Sequence, residues 1–225
     1  MTVADLSRMT GASGPGLRTF LYRLEKRGAL KRLERGKYYL REAPLEALVS
    51  SIVSPSYISF LYALSLHHLT TQIPRRIVVS SVRSRPGVEV EGHPVKFMRM
   101  KRSRFFGMER ARSGGQYFAT VASAEKAILD SLAYPMHCPV AEAAAAISTG
   151  VDGKLLRIDV LAEMALRLGS RSAAKRLGYI AESSGEDIFE TLGPLVSARY
   201  DLLDSGLPSK GARNRRWRLI INEAI

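Results

Sequence analysis

The chain has 225 residues, of which 46% are hydrophobic and 24% charged, and its 34 Lys and Arg outnumber 21 Asp and Glu to give a net charge of +13. This composition is that of a folded protein, and no stretch reaches the roughly 18 to 20 apolar residues that a membrane-spanning helix needs. The N-terminus lacks the pattern of a signal peptide, and Cys138 has no second cysteine to pair with. We therefore expect a soluble protein of the cytoplasm, without a membrane partner.

The positive charge is concentrated in three stretches. Residues 1–42 contain 10 basic and 4 acidic side chains, residues 96–112 contain 7 and 1, and residues 207–225 contain 5 and 1. The rest of the chain is slightly acidic, with 12 basic and 15 acidic side chains. Charge localised in this way favours a surface that binds an anionic partner over a general solubilising coat, although any single run is also compatible with a solvated face.

The first predicted elements are two helices joined by a tight turn. Thr2 is the expected N-cap of a short helix that ends at Gly11, and Ser13 is the expected N-cap of a second helix that ends at Gly28. One face of the second helix is apolar at the i, i+3, i+4, i+7 spacing: Leu17, Phe20, Leu21 and Leu24. Its opposite face carries the side chains that we predict to contact DNA: Arg18, Thr19, Tyr22, Arg23 and Lys26.

A basic hairpin is predicted directly after these helices, from two short runs at residues 29–34 and 37–42. Helix, turn, helix and basic hairpin is the layout of a winged helix-turn-helix, in which one helix enters the major groove and reads base edges. Arg32, Arg35 and Lys37 on the hairpin would reach the phosphates beside the groove. We predict this DNA-binding domain over residues 1–50; the alternative is that the same module serves as a protein-protein adaptor.

The predicted module has one structural gap. Most winged helix-turn-helix domains have a further helix before the two seen here, and the chain begins too late to supply it. We therefore expect the segment at 44–53, "PLEALVSSIV", to complete the small core of the domain.

The larger remainder, residues 54–225, is predicted to be a mixed α+β domain. We expect a helix from a cap at Ser54 or Ser56 to His68, a strand at 77–81, and mostly β-structure from 88 to 121. A helix capped by Ser123 should follow, and then four more, of which the last is "EDIFETLGPLVSARYDLLDSG". A final strand, "WRLIINEAI", is expected to return to the sheet. The fold class is therefore α+β.

Three segments behind the predicted DNA-binding module suggest a family: the run at 54–81, the helix start "SAEKAILD" at 123–130, and "AAKRLGYIAE" at 173–182. In this order they resemble the AbiEi-type antitoxins, transcriptional regulators of abortive-infection (viral defence) type IV toxin-antitoxin systems. The resemblance covers nearly the whole chain, and its motifs are mainly structural. It implies a repressor that binds inverted repeats in its own promoter, and a C-terminal domain that counteracts a nucleotidyltransferase-type toxin without a stable complex.

The sequence contains no recognisable pattern for metal binding, nuclease catalysis or nucleotide binding. The histidines and the cysteine are not at the spacing of a zinc site, so we predict no metal: His67, His68, His93, His137 and Cys138. Glu89 and Glu91 with Lys96 resemble a nuclease site only vaguely, and the glycines at 114–115 precede a strand, which is not how phosphate-binding loops are built. We therefore predict no catalytic residues, no cofactor, and a protein that is not an enzyme.

The remaining charged motifs have two interpretations each. Lys126 and Asp130 are placed for an i, i+4 ion pair that stabilises their helix, or for a contact patch on the C-terminal domain. Basic side chains interleaved with Phe105, Phe106 and Trp217 are either additional nucleic-acid contacts or loop charges beside core aromatics. The candidate additional contacts are Lys101, Arg102, Arg104, Arg213, Arg215 and Arg216. A protein- or RNA-binding module without sequence-specific DNA binding is the alternative to the repressor.

Overall fold

The computed structural model describes all 225 residues and shows an α+β fold. The chain begins with helix α1 (Val3–Thr10), helix α2 (Gly14–Lys26) and the antiparallel strands β1 (Leu30–Glu34) and β2 (Lys37–Leu40). We call residues 1–42 the N-terminal unit. No helix of the protein combines the length and the hydropathy that crossing a bilayer requires.

The N-terminal unit has a small core of its own. Leu6 of α1, Leu17 and Leu21 of α2 and Leu30 of β1 are buried against one another, and Leu40 of β2 packs on them. Leu17 and Leu21 are four residues apart in α2 and therefore share one face, which packs on Leu30 of the hairpin and on Leu6 of α1. The two helices come before the first strands of the chain.

A six-stranded mixed sheet forms the centre of the rest of the molecule. Its strands stand in the order β5-β6-β4-β3-β8-β7. Their bounds are β3 (Ser56–Ser59), β4 (Ile77–Ser81), β5 (Val88–Val90), β6 (His93–Arg99), β7 (Met108–Arg112) and β8 (Phe118–Ala122). The central strands β3 and β4 are buried at every position, as expected for strands covered on both faces.

Helices cover both faces of this sheet. Helix α5 (Ala124–Ala133) packs on one face, where Tyr57 and Ser59 of β3 bond to its Asp130. Helix α3 (Leu45–Ser51) lies on the other, next to β8 and β3. The chain also forms α4 (Phe60–Leu66), α6 (Val140–Asp152), α7 (Ile158–Leu168), α8 (Arg171–Ser183) and the one-turn α9 (Phe189–Leu192).

The predicted elements from 77 to 183 are confirmed, and the segment from 54 to 68 is partly wrong. The helix expected to start at Ser54 or Ser56 is a buried strand over Ser56–Ser59, and the helix begins only at Phe60. The four residues "SYIS" are too few for hydrophobic periodicity to distinguish a buried strand from a turn of helix. These residues form a strand because they pair with β4 on one side and with β8 on the other.

The segment expected to complete the N-terminal core does not do so. Leu48, Val49 and Ile52, on and just after α3, are buried in the core of the large sheet, and none of them joins the small leucine cluster. The apolar face of a helix as short as α3 does not specify which core it fills. Residues 45–51 therefore pack with the larger part of the molecule.

The C-terminal predictions are also corrected. The helix expected from Glu186 to Gly206 is limited to α9 and a 3₁₀ turn at Gly193–Leu195, after which the chain enters β9 (Asp201–Leu202). The last strand, β11 (Leu219–Ile221), does not return to the large sheet. It pairs instead with β9 and β10 (Ala212–Asn214) in a separate three-stranded sheet.

Candidate nucleic-acid interface

Capping hydrogen bonds fix the start of α1, whereas Ser13 precedes α2 without a side-chain capping bond. The backbone N–H of Asp5 donates to Oγ1 of Thr2 (3.1 Å), and the backbone N–H of Thr2 donates to Oδ2 of Asp5 (2.8 Å), which confirms the predicted N-cap. The backbone N–H and the hydroxyl of Thr2 both donate to Oδ2 of Asp5 and hold the pKa of that carboxyl well below its usual range, at about 2. Gly11 ends α1 at a φ of 68°, which favours glycine, and only three residues separate the two helices.

Helix α2 presents its polar side chains in two rows. Arg18 and Tyr22 face the hairpin, whereas Thr19, Arg23 and Lys26 lie on the outer side and are exposed. Phe20 was expected in the apolar face, but it lies at the edge of that face and is 40% exposed. The buried stripe is therefore narrower than predicted and consists of Leu17, Leu21 and the half-buried Leu24.

The hairpin has two faces with different partners. Arg32 and Tyr38 are opposite each other in the β1-β2 register, and both line a surface cleft together with Arg18 and Tyr22 of α2. Arg35, at the turn of the hairpin, lines the same cleft. The structure thus brings side chains from the predicted groove-contacting helix and from the predicted wing to one place.

Most basic side chains of this surface have no carboxylate partner. Arg18, Arg23, Lys26, Arg32 and Arg35 form no ion pair within the protein. Lys37, in contrast, is bound to Glu34 at 2.6 Å. Glu25 is the single acidic residue that lines the cleft. The surface therefore retains strong positive charge, and the free guanidinium groups are available for anions.

The other face of the hairpin binds the large sheet through charged groups. Lys31 and Tyr39, paired in the hairpin register, both donate to the carboxylate of Glu91 at the β5-β6 turn, at 2.7 Å in each case. Glu34 is bound to Arg85 at 2.5 Å. Sequence reasoning did not identify this interface, because the partners are 51 to 60 residues apart along the chain.

This interface also changes the interpretation of Glu91. Its carboxylate, considered above as part of a vague nuclease pattern, is occupied by Lys31 and Tyr39. Glu89 and Lys96 are exposed on neighbouring strands. Glu91 therefore serves to fasten the hairpin, and the three residues are not a convergent site.

Acid is expected to weaken the attachment of the N-terminal unit. Hydrogen bonds from Lys37 and Lys31 lower the pKa values of Glu34 and Glu91 in the folded protein. The two carboxylates therefore stabilise the fold fully above their unfolded-state pKa near 4.5, and this stabilisation is lost as the pH falls through their folded-state pKa. We expect Glu91→Gln to reduce the loss of stability between pH 6 and pH 3 by about 0.2–1 kcal/mol, measured by urea unfolding. An unchanged pH dependence would show that the pair contributes nothing.

Lys126 and Asp130 form an ion pair, as predicted, but not on a contact patch. Both side chains are completely buried. Oδ2 of Asp130 accepts hydrogen bonds from the hydroxyls of Tyr57 (3.0 Å) and Ser59 (2.8 Å). Burial raises the pKa of Asp130, and Lys126, Ser59 and Tyr57 oppose that shift. Together these groups form a polar network inside the core.

Phe106 and Trp217, in the second and third basic stretches, are buried in the core, and Phe105 is half-buried against it. Phe106 is 5% exposed and lies beneath Lys126 and Arg167, and Trp217 is completely buried. Neither ring is able to stack with a base. Among the charges, Arg104 donates to the Tyr134 hydroxyl (3.0 Å) and Arg216 binds Glu182 and Asp187. The exposed residues without an acidic partner are Lys101, Arg102, Arg213 and Arg215.

His67 has a defined structural contact. His67 follows the last residue of α4, and its Nε2 lies 2.7 Å from the carbonyl oxygen of Ala122 in β8. No group of three or more His, Cys, Asp or Glu side chains is arranged to hold a metal ion.

No protein-family model matches the sequence, and no curated protein matches it. The resemblance to AbiEi-type antitoxins therefore stays a prediction, and the arrangement of α2 and the hairpin is the basis on which a function is proposed.

Proposed function

We propose that the N-terminal unit is a winged helix-turn-helix that binds double-stranded DNA, with α2 in the major groove and the β1-β2 hairpin as the wing. The observation that carries this proposal is the shared cleft, which Arg18 and Tyr22 of α2 line together with Arg32 and Arg35 of the hairpin. A major groove is about as wide as one helix, so side chains on the outer face of α2 would meet base edges. The hairpin would then lie beside the groove and face phosphates.

The positions of the unpaired basic side chains suggest which of them contact bases and which contact phosphates. Arg23, Thr19 and Lys26 on the outer face are the proposed base-reading side chains, with Arg18 and Tyr22 next to them. Arg35 and Arg32 are the proposed phosphate contacts, because neither is neutralised by a carboxylate. Lys37 is a weaker candidate than the sequence indicated, since Glu34 already holds it at 2.6 Å.

The regulatory role rests on the resemblance and on this surface together. We propose that the protein represses its own operon at inverted repeats and is the antitoxin of an abortive-infection pair, whose toxin is of the nucleotidyltransferase type. Inverted repeats would require two copies of the N-terminal unit on one operator. Cytoplasmic location, and action without catalysis or a bound cofactor, belong to this same proposal.

Exposed apolar and aromatic side chains on the N-terminal unit support a second candidate function, binding of a protein or of RNA. Phe20, Tyr22 and Met9 are 40%, 62% and 73% exposed on the N-terminal unit. Exposed aromatics beside basic groups also suit a protein partner or single-stranded RNA. The N-terminal unit would then be an interaction module without sequence-specific DNA binding.

A gel-shift titration against the DNA upstream of the gene, with scrambled DNA as competitor and at two salt concentrations, tests the proposal. We expect Arg23→Ala to weaken binding by about 1–3 kcal/mol and to relax base preference, because it removes a base contact. Arg35→Ala should weaken binding to all sequences equally and lower the salt slope by about 0.9, the value for one phosphate contact.

The matched control is Arg171→Ala, which removes an exposed charge from α8, outside the proposed interface. It should leave affinity, base preference and salt slope unchanged. Equal, sequence-independent losses from Arg23→Ala and Arg35→Ala would remove the groove-reading role of α2. A shift that scrambled DNA abolishes entirely would favour the protein or RNA partner.

A further inference from the structure

A second basic site lies on the opposite side of the large sheet from the N-terminal unit. A cleft of about 320 Å³ is lined by Ser59 and Phe60, where β3 meets α4, by Arg75 and Arg76 before β4, and by His137 after α5. None of its lining residues is acidic. No residue of the N-terminal unit reaches it.

The sheet register places a further cation, Lys96, beside this cleft, although Lys96 does not line it. Ser59 pairs with Val78, and Val78 pairs with Lys96, so the three side chains form one row across β3, β4 and β6 on the same face of the sheet. Val78 itself lines the cleft. Burial lowers the pKa of His137, and the nearby charges of Lys96 and Arg76 lower it further.

The cations of this cleft are uncompensated within the protein. Arg75, Arg76 and Lys96 are exposed and form no ion pair. Unpaired cations that converge on a concave site without carboxylates create a positive potential, and guanidinium groups match the oxygens of phosphate. The charge therefore favours an anionic ligand.

The inner wall of the cleft is rigid. The Ser59 hydroxyl is completely buried and donates to Asp130, which the Lys126 ion pair holds in place. Phe60 has a φ of 60°, a strained value for a residue other than glycine, and its ring packs edge-on against the imidazole of His137 at 5.1 Å. Residues in such conformations cluster at ligand sites, and a fixed wall lowers the entropic cost of binding.

From this arrangement we propose that the cleft between the start of α4, the segment before β4 and His137 binds the phosphate group of a small molecule of up to about mononucleotide size. Arg75 and Arg76 bind the phosphate oxygens, Lys96 adds positive charge, and the rings of Phe60 and His137 supply an aromatic wall. The volume agrees with the lower end of the range for small-molecule sites. This site is independent of the proposed DNA-binding surface.

Isothermal titration calorimetry of the full chain, in low salt and without phosphate buffer, tests the site. The titrants are inorganic phosphate, adenosine 5′-monophosphate and adenosine. We expect saturable binding of at least one of the two phosphates and none of adenosine. Tighter binding of the nucleotide would assign the phosphate to a nucleotide, and equal binding would assign it to free phosphate.

The variant Arg75→Gln/Arg76→Gln should lose affinity by about tenfold for each guanidinium removed. Its control is Arg83→Gln/Arg99→Gln, which removes the same charge from exposed positions outside the cleft and should change affinity by less than about twofold. Circular dichroism melting confirms that each variant is folded. Absence of saturable binding to either phosphate, equal loss in both variants, or equal binding of adenosine would overturn the proposal.

Discussion

Asp130→Ala is expected to lower the free energy of unfolding by about 3–5 kcal/mol, measured by urea denaturation. The change leaves the ammonium of Lys126 completely buried without its carboxylate partner. It also removes the acceptor of the Tyr57 and Ser59 hydroxyls. A buried charge without its partner is costly, and so is the Ser59 hydroxyl without its acceptor, whereas the Tyr57 hydroxyl keeps only the Met100 sulfur at 3.1 Å.

The double variant Lys126→Met/Asp130→Asn separates charge burial from the loss of packing. It removes both charges, fills the space of Lys126 with an apolar chain, and keeps an amide oxygen for Tyr57 and Ser59. Because neutral replacement of a buried ion pair is often close to neutral in energy, most of the stability should return.

The control for Asp130→Ala is Asp159→Ala, which breaks the ion pair to Arg157 at an exposed site where the side chains are 73% and 72% accessible. Surface pairs of this kind contribute little, so we expect a far smaller effect. Similar losses from Asp130→Ala and Asp159→Ala would mean that Lys126 and Asp130 are not the buried network that the structure shows. The network also has a functional consequence, because it holds Ser59 at the inner wall of the proposed phosphate site.

Hydrophobic periodicity and capping residues are sufficient to predict the helices whose ends are set by neighbouring residues in the sequence. Thr2 and Ser123 cap their helices as expected, and Gly11 ends α1. The strand at Ser56–Ser59 was missed because its four buried residues have the same pattern as a buried helix turn. The placement of Leu48 and Ile52 was missed because an apolar face does not specify its partner.

The candidate sites differ in how far the sequence reveals them. The outer face of α2 follows from helical spacing, since Thr19, Arg23 and Lys26 recur at i, i+4 and i+7. The attachment of the hairpin through Glu91 does not follow from the sequence, because Lys31 and Glu91 meet only by tertiary folding. The proposed phosphate cleft does not follow from the sequence for the same reason: Arg76, Lys96 and His137 come from three parts of the chain that meet only by tertiary folding.

Trp217→Ala is expected to lower the free energy of unfolding by about 3–5 kcal/mol, through loss of a large buried side chain. Trp217 is completely buried, and its ring packs edge-on against Phe189 at 5.0 Å. Gly178 of α8 makes room for it, because a Cβ at that position would lie 2.1 Å from the indole ring. Gly178→Ala is therefore destabilising in the native chain and tolerated better in the Trp217→Ala background, a coupling that a double-mutant cycle measures.

The conservative variant Trp217→Phe decides whether the ring has a role in nucleic-acid binding as well. The indole Nε1 has no hydrogen-bond partner, so phenylalanine forfeits no such bond and retains part of the packing. We expect this variant to fold and to bind DNA as the native protein does, since a ring inside the core is unable to stack on a base. A folded Trp217→Phe variant with weakened DNA binding would contradict that expectation. It would place the C-terminal basic stretch, with Arg213 and Arg215 at its exposed positions, in the nucleic-acid interface.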